Sequence, residues 1–480
     1  NGYGHTMGAV VNVPIIADKL GVRVSYLTEE DPGYGIVVGR PDIENPLEED
    51  KSTLRVKVTA KPTDSSEITY THSEWSTAYM FMPGTNIVGV SNGRMELAAS
   101  TWAFALEVFP DGILRNNYDV EWDTLVAKYD LGFAEMTYSG GSVKSTDRDY
   151  NAEDFTYGVV SITDLPSDTD THEIRFVSQG DGPLSWVAGA MTVDATTNSN
   201  LHYNFASYGE YSSIGAIHQE QDSMYAELTY AMSDTMTVFG GLRRHEEMRQ
   251  ENSQAALRNP GDPATGPYTG YMFEDNATTY EFDNTSYRVG VEWRPDDSTL
   301  YYASRSSAAR SPVPIDQTTL AILEQQGLPN LSSEDASELI STEIGAKMSL
   351  MDDALDLEVV YALSEWTDIP MYSGYGTPDG ILSMSVGGTD ADVTSLEMSA
   401  SYTISDTLSL TYAGGLTDTE VAAVPDPSVV ANFPAAIQVG GELYGYSPTT
   451  HSITLDYSDD MDNGWEAYGS VDYAYREKMM

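Results

Sequence analysis

ISTEIGAKMSLMDDALDLEVVYALSEWTDI, residues Ile340 to Ile369, is the stretch whose reading decides the fold. In its first half Thr342, Ile344, Ala346, Met348 and Leu350 share one parity, while Glu343, Gly345, Lys347 and Ser349 share the other. Alternate side chains of a strand point to opposite faces, so the pattern predicts a strand with one apolar and one polar face. Met351 to Ala354 form a tight acidic turn. Beyond it Leu355, Leu357, Val359, Tyr361 and Leu363 alternate with Asp356, Glu358 and Ser364. Each run has about nine or ten residues, the length a tilted strand needs to cross a bilayer core.

The same unit recurs along the chain. Ala9, Val11 and Val13 turn through Ala17 to Lys19 into Leu20, Val22, Val24 and Tyr26; Leu54, Val56, Val58 and Ala60 turn through Pro62 to Ser66 into Ile68, Tyr70 and His72. Further hairpins are read at Tyr118 to Lys144, turning at Asp130 and Leu131, and at His172 to Met191, turning at Gln179 to Pro183. Met224 to Leu242 turn at Ser233 and Asp234, and Tyr287 to Tyr302 at Pro295 to Asp297. Leu396 to Tyr412 turn at Ser405 and Asp406, and Ile453 to Tyr473 at Asp459 to Asn463. Together these predict about eighteen strands as nine hairpins. Short turns alternate with long connections such as Glu246 to Asn284, Ser306 to Leu339 and Asp418 to Tyr446, of which Thr318 to Gln326 reads as a helix ended by Gly327.

This predicts an all-β, transmembrane, antiparallel up-and-down β-barrel with short periplasmic turns and long extracellular loops. A soluble sandwich, the competing reading, calls for shorter strands and even loops. The outward faces read as free of charge at their centres, whereas the partner faces hold Arg288, Glu292, Lys347, Glu358, Glu397 and Asp456. Tyr26, Tyr230, Trp293, Trp366, Tyr412, Tyr457 and Trp465 fall near strand ends, as interfacial girdles do.

Composition narrows the function. Asp and Glu number 74 against 24 Lys and Arg, a net charge of -50, which opposes binding to a nucleic-acid backbone. There is no cysteine, hence no disulfide framework or thiolate metal site. No run of eighteen apolar residues exists, which excludes helical membrane spans and leaves a barrel untouched. The histidines lack metalloprotease spacing and no serine sits in a nucleophile elbow, so nothing reads as an enzyme, a cofactor site or a metal site. The acidic turns at Asp352 and Asp353 and at Asp459 to Gly464 read as solvated turns rather than calcium loops.

Gly4 to Tyr34, GHTMGAVVNVPIIADKLGVRVSYLTEEDPGY, resembles the first barrel hairpin of a TonB-dependent outer-membrane receptor. HEIRFVSQGDGPLSWVAGAM, SMYAELTYAMSDTMTVFGGLR, LYYASRSSAARSP and the Ile340 to Ile369 stretch resemble successive mid-barrel hairpins of that family, and YGYSPTTHSITLDYS a late one. The resemblance implies that residues 1 to 480 are a partial barrel of a 22-stranded class, with plug domain and final strands outside the chain. It implies a bacterial outer-membrane location, contact with lipid, and a TonB energy-coupling protein acting through a region upstream of the chain. The implied function is energy-dependent uptake of a scarce nutrient, a siderophore–iron complex first, bound by extracellular loops and released by plug movement; a passive porin-like channel is the alternative. Loops at a barrel mouth carry binding function, so Tyr79, Phe81, Trp102, Tyr268, Tyr271, Arg310, Tyr372 and Tyr375 are the expected ligand contacts.

Overall fold

β-branched and aromatic residues alternating with polar ones, punctuated by Asp, Asn and Gly, favour strands joined by tight turns. The computed structural model describes residues 4–33, 35–38, 48–79, 87–91, 94–97, 116–154, 159–205, 210–258, 272–274, 278–312, 336–377, 380–424, 438–461 and 464–479. Among these every regular element is a strand. The first ten are β1 (His5–Ile16), β2 (Leu20–Asp31), β3 (Gly35–Val37), β4 (Glu49–Thr63), β5 (Ser66–Tyr79), β6 (Ile87–Ser91), β7 (Arg94–Leu97), β8 (Asn116–Asp130), β9 (Ala134–Asp154) and β10 (Val159–Ser178). Then come β11 (Leu184–Phe205), β12 (Glu210–Ala231), β13 (Met236–Arg258), β14 (Met272–Glu274), β15 (Thr278–Asp296) and β16 (Thr299–Arg310). The last are β17 (Ser337–Leu350), β18 (Leu355–Thr377), β19 (Gly380–Ser405), β20 (Leu408–Ala423), β21 (Thr449–Asp460) and β22 (Glu466–Arg476). Eighteen of them have eleven residues or more, the number read from the alternation.

Two units are described, each by itself. The first comprises Asn1–Gln179, Gly189–Ser223 and Glu246–Glu281. In it β1, β2, β4, β5, β8, β9 and β10 each pair antiparallel with the next. β3, β7 and β6 form a small separate sheet. Register explains the two faces. Val13, Val22, Val58, Tyr70 and Leu125 stand in one cross-strand row, and the row one residue along is Asn12, Arg23, Lys57, Thr71 and Thr124.

The second unit comprises Gly180–Ala188, Met224–His245 and Phe282–Met480. Here β15 to β22 pair antiparallel in sequence. Met348, Leu357, Ala400, Tyr412, Ile453 and Tyr473 form one row; Lys347, Glu358, Ser399, Ala413, Ser452 and Ala474 form the adjacent one. Lys347 and Glu358 close an ion pair across β17 and β18 at 2.7 Å. The apolar face is bare: Ile344 is 58% exposed, Leu396 41% and Val471 68%. So much contiguous apolar surface is untenable in water and is what a lipid-facing wall presents.

Three sequence-based expectations need correction. Strands run far past nine or ten residues, with 23 in β18 and 26 in β19, and β13, β15, β16, β17 and β20 extend into what read as loops. Beyond Leu363 the outward positions turn to Glu365 and Thr367, and two register shifts before Met371 break the period-two signal. Trp366 joins the polar face instead of a lipid girdle, its Nε1 donating to Ser337 Oγ at 2.7 Å. The expected helix at Thr318 to Gln326 lies outside the described residues.

The turns fall where expected, and their acids act locally. Gly132 N donates to Asp130 Oδ1 at 2.7 Å, and Ser298 N to Asp296 Oδ1 at 3.0 Å, as Asx turns do. In the deciding hairpin Met351, Asp352 and Asp353 all have positive φ, at 58°, 55° and 66°. Asp tolerates this region; a methionine there carries strain of roughly 1–2 kcal/mol. Met351→Asn is therefore expected to stabilise the inserted protein by up to about 1 kcal/mol in urea titration, and a lower unfolding midpoint would contradict the strain.

Candidate functional site

The buried apolar residues of the second unit gather where β18, β19 and β20 leave the lipid-facing pattern. Ile369, Met371, Ala391, Val421 and Leu443 are each under a tenth exposed, and Thr389 is fully buried. Two register shifts in β18, between Trp366 and Ile369 and between Ile369 and Met371, swing these side chains out of the regular alternation. Asp368, between them, adopts φ 51°, and its N–H donates to Asp390 Oδ1 at 3.0 Å. The segment before β21 completes the platform. Val421 N donates to Gly441 O at 2.8 Å, Gly440 N to Val421 O at 2.8 Å, and Leu443 N to Thr419 Oγ1 at 2.9 Å.

A packed platform under a long hairpin holds the hairpin's outer part in a fixed direction. Tyr372 follows Met371 directly and pairs with Ser385; Tyr375 pairs with Leu382. Arg310 is the exposed last residue of β16, and Tyr79 is the last of β5, opposite Asn116. Thus Tyr372 and Tyr375 share one strand, while Tyr79 belongs to the other unit. Phe81, Trp102, Tyr268 and Tyr271 lie outside the described residues. The platform was not legible in the sequence, because the bulges that create it break the alternation.

The polar face of β18 to β22 encloses a hollow of about 750 Å³ whose lining includes Glu358, Glu397, Tyr446, Thr450, Ser452 and Arg476. Tyr446 Oη donates to Glu442 Oε2 at 2.9 Å. Partial burial, with that carboxylate beside it, holds the phenol's pKa above its ordinary value. Carboxylates, a guanidinium and hydroxyls facing open space suit a hydrated polar solute. Chemistry of bond cleavage would call for a paired nucleophile and base.

The reading of charge-free outward faces is wrong in both units: in the second, exposed Arg305 shares the outward face of Ala303 and Ile344 and donates to Thr342 Oγ1 at 2.8 Å, and in the first the charges are more numerous. His72, Glu74, Glu121 and Asp123 share the face of Val58, Tyr70 and Leu125. His72 meets Asp123 at 2.9 Å and Glu74 at 3.1 Å, so one imidazole bridges two of the three carboxylates. A strand-by-strand reading cannot see cross-strand compensation. His218 is placed similarly, 3.2 Å from Glu220 and 3.7 Å from Asp194. His72 with Glu121 and Asp123, and His218 with Asp194 and Glu220, each converge closely enough for three donors to hold a cation. The findable signal was His-x-Glu, which on a strand puts both side chains on one face.

The family model described as TonB dependent receptor-like, beta-barrel, matches residues 63–479. The chain belongs to the TonB-dependent receptor family. Its place is therefore the bacterial outer membrane, its fold a β-barrel domain, and its family one of transporters rather than enzymes. No curated protein sequence matches the chain. Among solved structures it is similar to the ferric yersiniabactin uptake receptor FyuA from Yersinia pestis, with a TM-score of 0.71 and 16% identity over 98% of this chain and 67% of that one. The siderophore receptor PiuA from Acinetobacter baumannii aligns with a TM-score of 0.66 and 13% identity, over 94% and 67% of the two chains. The copper transporter OprC aligns with a TM-score of 0.66 and 12% identity, over 97% and 66%. The chain thus spans about two thirds of these structures, and at such identity the likeness is one of fold.

Proposed function

We propose that this TonB-dependent receptor takes up a siderophore–iron complex, captured by the extracellular ends of its strands and released inward when a TonB protein moves a plug. Residues 1 to 480 are read as one barrel domain, with lipid against its apolar face and no role for nucleic acid. The observation that carries the reading is the β18–β19 arm: the apolar row ends at Leu363, yet the paired strands continue to Thr377 over a buried platform. A rigid arm beyond the lipid band serves ligand capture. Tyr372 and Tyr375 on it, and Arg310, Tyr79, Phe81, Trp102, Tyr268 and Tyr271, are the proposed contacts. Receptor structures named for siderophores support iron over other cargo, and the copper transporter among them sets the control.

The test is uptake by cells that carry the full-length gene in a host stripped of its own receptors. Radiolabelled iron on a siderophore panel should enter saturably, and only where TonB is present. Entry that never saturates and ignores TonB would establish a passive pore; saturable, TonB-driven copper entry without iron entry would replace the cargo.

A further inference from the structure

We propose that His72, Glu121 and Asp123 of β5 and β8, and again Asp194, His218 and Glu220 of β11 and β12, bind a divalent transition-metal cation of the zinc class on the outward face. In each set an imidazole nitrogen and two carboxylate oxygens lie within 4.8 Å of one another. Imidazole and carboxylate ligands hold zinc at about 2.0–2.2 Å, which puts neighbouring ligand atoms roughly 3.3 Å apart. Small side-chain rotations close either set around an ion.

The β5–β8 register makes the first set a cross-strand device. His72 stands opposite Asp123, and Glu74 directly opposite Glu121. Like charges directly opposite destabilise a strand pair. Lys144 stands on the other side of Glu121, but it is shared with Asp168 beyond it. The patch therefore carries more carboxylate than cation, and a divalent ion offsets the excess. The ring is also held as metal-binding imidazoles are held. Nδ1 of His72 is 2.9 Å from Asp123 Oδ1, and Nε2 is 3.1 Å from Glu74 Oε1, a carboxylate placed to accept the second ring N–H while Nδ1 binds metal. Tyr70 Oη donates to Asp123 Oδ1 and orients that carboxylate. In the second set Glu220 Oε1 is 3.2 Å from His218 Nε2 and Asp194 Oδ1 is 3.7 Å from Nδ1, with Thr196 Oγ1 3.1 Å from Nδ1 as a further partner for the ring.

Both sets stand on the lipid-facing side, past its apolar part. His72 follows Tyr70 on the same face of β5, away from the Thr63 to Ser66 turn. His218 and Glu220 share the face of exposed Met224, Leu228 and Tyr230, whereas Gln219 and Gln221, of the other parity, both donate to Glu247. A plug inside the barrel leaves this face open, so the sites depend neither on what fills the lumen nor on the cargo proposed above. Glu121, Asp194 and Glu220 are exposed and give an ion its way in. Imidazole joined to carboxylates suits zinc and its neighbours, while magnesium and calcium take oxygen ligands. A bound ion ties β5 to β8 and β11 to β12.

Titration calorimetry of zinc chloride into the full-length receptor, free of any tag, in detergent at neutral pH tests the sites. Two saturable equivalents are expected, with affinities that stay within twofold when calcium or magnesium is present in hundredfold excess. His72→Gln should remove one equivalent and His218→Gln the other, and the double variant should lose both. Glu67→Gln, which removes an acid paired with Lys61, should stay within twofold of wild type. Asp123→Glu, which keeps the carboxylate, guards against a folding defect and should weaken the first equivalent without abolishing it. Zinc should also raise the urea unfolding midpoint of the wild type and not that of the double variant. Displacement of zinc by calcium at equal concentration would reduce both clusters to acidic surface. That result, the absence of saturable zinc binding, or unchanged zinc binding in the double variant overturns the proposal.

Discussion

Ile344→Arg is expected to destabilise the inserted barrel by about 2–4 kcal/mol, the cost of a cation at the midplane of the lipid face. Ile344 is 58% exposed and pairs with Tyr361, which in turn pairs with Leu396, so the substituted position lies inside a continuous apolar row. An arginine there is flanked across the strands by Ala303 and Tyr361, neither of which offers a carboxylate. Lys347→Gln, three residues away on the opposite face, loses only an ion pair whose partners are 53% and 38% exposed. Such pairs contribute about 0–1 kcal/mol. The measurement is urea unfolding in lipid vesicles, read by the shift between folded and unfolded bands on a gel run without heating. Equal shifts for the two variants would mean the faces are assigned the wrong way round, since slipping the register by one residue reverses every side chain.

That prediction rests on the part of the structure most legible in the sequence. Wherever one face meets lipid and the other water, period two is enforced, and the Met351 to Ala354 and Gln179 to Pro183 turns fall between the strands found there. The rule fades wherever both faces meet the same solvent. Past Leu363, Tyr372 and Tyr375 belong to a strand with no apolar alternation to announce it. Cross-strand contact is invisible for another reason: His72 and Asp123 are 51 residues apart, and only the β5–β8 register shows that they meet.

Excision of the β18–β19 arm is expected to leave the barrel inserted and to reduce binding of the proposed siderophore–iron cargo at least a hundredfold. Glu365 pairs with Asp392 in the antiparallel register, so joining them through Asn-Gly replaces residues 366 to 391 with a tight hairpin turn. The lipid-facing part is untouched, because Leu357, Val359 and Tyr361 keep their partners Ala400, Met398 and Leu396. Lost are Tyr372 and Tyr375, together with Ile369, Met371, Thr389 and Ala391 of the platform. Val421 and Leu443 then lose the apolar neighbours that bury them, and the segment before β21 should become cleavable by protease while the barrel band stays intact. A hundredfold loss corresponds to about 2.7 kcal/mol, within what a few aromatic contacts supply at a binding surface. Tyr372→Ala with Tyr375→Ala separates the two effects: binding should fall at least tenfold with the protease pattern unchanged. Wild-type affinity in the excised protein would remove both tyrosines from the site and move capture to the remaining strand ends.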